Sequence, residues 1–214
     1  MSHNGEESTP APRRGRAPHW GRIVAELVVV FVGVTAAFFV EGYREQLDAD
    51  RALRQASAGI LAELRTYETK GLAYADSMTA HLDAWEAADR AGRRAVPTFF
   101  RLPGAPRPPT AAWTSTVASG VASGFEPDFR YRLGFFYNEF SGINLNYVRH
   151  LDFIERDVLP RAELGTDAFY DASGRFDPAV RSRMRLMREY AADLDRLSRE
   201  AGELGDELEA RMAD

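Results

Sequence analysis

The sequence predicts an all-α chain. An N-terminal transmembrane helix continues into a long stalk helix, which packs with a long C-terminal helix and middle helices in an elongated bundle. Three observations carry this reading. Ile23 to Val40 is an apolar run with no Lys, Arg or Pro and a single Glu. Further along, apolar residues recur every three or four positions in three separate stretches, the spacing of a buried helix face. No strand-like alternation of useful length appears anywhere.

Residues 1–20 are rich in Pro, Ser, Gly and charge, with almost no large apolar groups. They cannot bury enough surface to offset the entropy of ordering, so a disordered basic tail is expected. The membrane helix follows at 21–43. At about 1.5 Å per residue, its apolar run spans roughly 27 Å, close to the ~30 Å hydrocarbon core of a bilayer. Trp20 and Tyr43 bracket it, where amphipathic aromatics favour the headgroup regions. The run ends on Phe38-Phe39-Val40-Glu41 rather than a small-residue cleavage site, which predicts an uncleaved anchor over a signal peptide. Arg13, Arg14, Arg16 and Arg22 crowd its N-terminal side, against the sparser Arg44, Arg51 and Arg54 beyond it. That bias predicts a cytoplasmic N-terminus and an extracytoplasmic domain, with a single pass through the cell inner membrane.

The stalk is expected over 44–92, which contains no Pro. Leu53, Ile60, Tyr67 and Tyr74 fall seven apart, and Leu64, Gly71, Met78 and Trp85 form the interleaved row. Ser57, Gly71 and His81 dilute this seam, so it departs from an ideal coiled coil. A Pro-rich loop at 93–112 cannot be helical in its centre, and Phe99, Phe100 and Leu102 are expected to pin it to the bundle. Aromatic-rich middle helices occupy 113–164: a short one from about Thr110 to Ser123, then a strong one opening at Pro127-Asp128. Its face is Phe129, Leu133, Phe136, Phe140, Ile143, Tyr147, Leu151, Ile154 and Val158, and Pro160 is expected to stop or kink it. The remainder, 165–214, is a loop with Gly165 and Gly174, then a helix whose N-cap and first position are Asp177 and Pro178. Val180, Met184, Met187, Tyr190, Leu194, Leu197, Ala201, Leu204 and Leu208 line one side of it.

Certain residues carry a resemblance. Glu26 stands ahead of an apolar run with Gly33 and Ala36-Ala37; Trp113, Ser119-Gly120, Leu133 and Tyr137 follow. In these the chain resembles a family of uncharacterised bacterial single-pass membrane proteins with a short basic tail, an N-terminal anchor and a helical domain. The chain departs from that pattern at Ala25, where Gly is expected, and at Glu41-Gly42-Tyr43, where Asn-Trp is expected. The similarity covers about a third of the chain. It implies topology and carries no activity.

Chemistry is constrained mainly by what is missing. With no cysteine, disulfides, thiolate metal sites and thiol nucleophiles are excluded. A net charge of −5 argues against nucleic acid as a partner. The domain's histidines, His81 and His150, have no Glu three residues before them, and no zinc-protease, phosphate-loop or nucleophile-elbow motif is present. His150, Asp152 and Glu155 read as charged neighbours on a solvated face rather than an acid–base cluster. No enzyme activity, cofactor or metal site is therefore expected. Glu26, Val30, Gly33 and Ala37 share a face of the membrane helix, where a small-xxx-small pair suits contact with another helix, while Glu26 can also pair with Arg22. Asn138, Asn144 and Asn146 could place amides among rings as a pocket. The expected partners are the lipid bilayer and either a protein partner or a second copy met through helices. The function read from this is a non-catalytic, membrane-anchored interaction or scaffold module; the alternative is an extracytoplasmic ligand-sensing bundle acting through a partner protein.

Overall fold

A computed structural model describes residues 20–97 and 109–213. The basic tail and the residues Phe99, Phe100 and Leu102 lie outside the described residues. Among those described there is no strand, only one isolated bridge between Tyr170 and Phe176. The chain is all-α, as its periodicities require.

Two compact units are distinguished, residues 1–48 and 49–214. Helix α1, Trp20–Arg90, supplies residues to both. In the first unit it carries the apolar run, none of which is buried, so one helix is long and apolar enough to cross a membrane.

The second unit is built from α1 beyond Asp48, α2 (Ala111–Ala118), α3 (Pro127–Phe153), α4 (Leu159–Glu163) and α5 (Pro178–Ala213). α5 runs antiparallel to α1. Arg65 pairs with Asp206 at 2.7 Å, and Arg188 with Asp83 at 2.8 Å, so partner numbers fall along one helix as they rise along the other. Gly71 is buried midway along this contact. A Cβ built there would stand 1.9 Å from Ser198 Oγ and 3.0 Å from Ser198 Cβ. The glycine that dilutes the seam thus lets the two backbones approach.

The apolar faces meet in two clusters. The first joins Ile60, Leu64 and Tyr67 to Phe129, Leu133, Phe136 and Phe140 and to Leu197 and Leu204. The second joins Met78, Leu82 and Trp85 to Ile154, Phe169, Phe176, Val180 and Met184. Tyr190 packs against both.

Two local expectations change. The short middle helix ends at Ala118 rather than Ser123, because Gly120 takes a left-handed φ of 78° and a 3-10 turn, Val121–Gly124, follows. The start of α2 at Ala111, with Thr110 as N-cap residue, is where the expected start near Thr110 places it. Pro160 does not stop the chain's helical course. A π-turn at Ile154–Val158, in which Leu159 N–H reaches back to Ile154 C=O, precedes it, and α4 carries Pro160 in its first turn, where a missing N–H costs nothing. The α5 start is as read: Asp177 Oδ1 accepts the Ala179 N–H at 2.7 Å, while Oδ2 takes the Arg161 guanidinium. Those bonds, Arg161 first, hold the Asp177 carboxyl below its ordinary range.

Candidate functional site

On the membrane helix, Glu26, Val30, Gly33 and Ala37 are all exposed, and a Cβ at Gly33 would meet nothing within 4 Å. Arg22 Nε donates to Glu26 Oε1 at 3.1 Å, one turn away. The carboxylate thus has its charge partner within its own helix.

The buried polar chemistry lies elsewhere. Glu63 on α1 sits beside the seam, next to Leu64, and is buried. Its carboxylate accepts the N–H of Ala112 at 2.8 Å, the N–H of Trp113 at 3.4 Å and the hydroxyl of Tyr137 at 2.8 Å. Thr110, the α2 N-cap residue, makes no side-chain cap. Glu63 replaces it from another helix, satisfying amides that the first turn leaves without partners. Trp113 stacks on Tyr137, with centroids 5.4 Å apart and planes 4° apart, and the Tyr67 hydroxyl donates to Pro109 C=O. Burial, followed by the Glu63 charge, drives the Tyr137 phenol well above its ordinary pKa, so it remains a donor at any physiological pH. This junction is closed and matched, and its role is structural. Trp113 and Tyr137 meet in it. In the sequence Glu63 is only a charge beside the seam, three residues after Ile60 and four before Tyr67.

A second arrangement is open. A cleft of ≈ 270 Å³ lies between α3 and α5, lined by Tyr147, His150, Arg149, Arg183, Met187 and Tyr190 among others. Asn146 also lines it, whereas Asn138 is exposed and Asn144 half-buried, and neither reaches it. The three amides therefore do not form one pocket. His150 is buried, and its Nε2 has no hydrogen-bond partner among the described residues. Burial, helped by the charge of Arg183, lowers its pKa from the ordinary 6.5 to about 4, so the ring is neutral at pH 7. Asp152 and Glu155 point away from this chemistry: both are exposed, and Asp152 pairs with Arg156 at 2.7 Å. The sequence places His150 beside them, and the fold separates them.

Outside both sites, α3 presents a bare apolar face. Tyr131, Phe135 and Leu145 are 70%, 53% and 52% exposed, and the rings of Tyr131 and Phe135 stack at 6.4 Å. Asn138 and Gly142 complete the same stripe, both exposed. Among the described residues no group of three or more His, Asp or Glu side chains is placed to hold a metal ion.

Comparison with family models, with curated proteins and with solved structures returns no match.

Proposed function

We propose that the chain is a single-pass membrane-anchored module that docks a helix of a protein partner and catalyses no reaction of its own. The observation that carries this is the outer face of α3. Tyr131, Asn138 and Leu145 are seven residues apart, and Phe135 and Gly142 form the interleaved row. The spacing is that of a helix seam, on the side of α3 opposite Phe129, Leu133, Phe136 and Phe140, which already fill the core. Two large rings, a Leu and a glycine with nothing near its Cβ position offer a ridge and a gap for a second helix. The unburied apolar run supports tethering to a bilayer. The Arg density on its N-terminal side supports a cytoplasmic N-terminus, with the helical domain outside the inner membrane. The resemblance to uncharacterised bacterial anchored proteins belongs to the same proposal.

The test is co-purification of the full chain in mild detergent, comparing wild type with Tyr131→Ser/Phe135→Ser. A discrete partner, or a second copy, is expected with wild type and lost with the variant at unchanged thermal stability. Equal recovery with both contradicts the assignment of this face. The second reading, a ligand-sensing bundle, is favoured by the open cleft between α3 and α5.

A further inference from the structure

We propose that the α3–α5 cleft is a binding site for a small aromatic monocarboxylate. The cleft is lined by Tyr190, which packs against both core clusters, and by Met187 of the second. Tyr147 and Tyr190 stack there, with centroids 5.3 Å apart and planes 20° apart, and both line the cleft. With Met187 they make the apolar floor of the cleft, Tyr147 and Met187 being buried beneath it. The volume of ≈ 270 Å³ lies near the lower end of the range for ligand cavities, about 300 Å³ upward, and so fits a small molecule.

The charge at one end has no carboxylate partner among the described residues, although Arg183 lies over the Phe153 ring at 5.1 Å. Arg149 and Arg183 both line the cleft, and neither makes an ion pair among the described residues. Elsewhere on α3 and α5, by contrast, Arg132, Arg188, Arg196 and Arg199 each hold a carboxylate. Guanidinium groups lining a cleft suit a carboxylate, which their fork of donors meets bidentately. His150 adds a donor or acceptor at the same end: it is nine-tenths buried and its Nε2 is unmatched, a state folded proteins rarely leave uncompensated. Glu189 and Asp193 line the opposite end, six and ten residues further along α5 than Arg183, about 9 and 15 Å by helix rise. They repel a second negative group, which is why the ligand carries one carboxylate and presents it to the arginines. This site does not depend on the outer face of α3, and its test involves no partner protein.

Benzoate titrated into the full chain in detergent micelles, followed by calorimetry, tests it, with benzamide as the neutral isostere. Benzoate is expected to bind and benzamide to bind at least about tenfold more weakly, since a charge-assisted pair is lost. Arg149→Gln and Arg183→Gln should each weaken benzoate about tenfold or more without lowering the melting temperature, while the remote Arg199→Gln leaves it unchanged. Arg149 is exposed, so its variant stays informative even if Arg183→Gln disturbs packing against Phe153. No benzoate binding, equal affinity for benzamide, or full affinity in Arg149→Gln overturns the proposal.

Discussion

At the scale of single residues, the buried Glu63 carboxylate is matched, whereas the buried His150 Nε2 has no hydrogen-bond partner among the described residues. Glu63 has three donors and uses both oxygens. Glu63→Gln keeps its size but turns one acceptor into a donor facing donors, so it should destabilise the fold by about 2–3 kcal/mol. Tyr137→Phe, which removes a donor, should cost about 1 kcal/mol. Thermal unfolding measures both, and wild-type melting in each would show that α2 is not held from α1. His150 behaves oppositely. Its folded pKa, near 4, lies below the ordinary 6.5, so as pH falls the unfolded chain takes up a proton first. Stability from this group is intact above pH 6.5 and is lost as pH drops toward 4. Between pH 7 and 5 the loss should be about 2 kcal/mol, and it should vanish in His150→Phe. Parallel pH profiles for the two proteins would contradict this. Neither residue was legible from its neighbours. A Glu beside a seam and a His among Asp and Glu both look like surface, and only the packing of a second helix decides otherwise.

At the scale of elements, α5 was legible throughout because each of its signals is local. Asp177-Pro178 caps and starts it, and Leu194, Leu197 and Leu204 recur at helical spacing on the side that meets α1 and α3. Leu194→Asp or Leu204→Asp should therefore destabilise the domain by several kcal/mol, by placing an unpaired carboxylate in the core. Unchanged denaturant midpoints in both would mean that this face is not packed. The π-turn before Pro160 was less legible, since a proline marks where the helix ladder loses a bond without saying whether the chain stops or slips by one residue. The early end of α2 follows from Gly120, whose conformation depends on the turn after it. Of the asparagines, only Asn146 reaches the cleft, because the spacing of 138, 144 and 146 places them on different sides of α3.

At the scale of the whole molecule, composition speaks to location more clearly than to chemistry. The apolar run has no buried residue and lies on a helix long and apolar enough to cross a membrane, and α3 carries rings that face away from the core. Anchoring and docking are separable claims, and one experiment reads both. A photoreactive residue replaces Phe135 in the full chain, with Ala192 on the exposed side of α5 as the control, and membranes are washed at alkaline pH before illumination. The account predicts that the chain stays with the membranes and that position 135 yields a discrete adduct, of a partner or of a second copy, which position 192 does not. Release of the chain by the alkaline wash, or identical adducts from both positions, contradicts it.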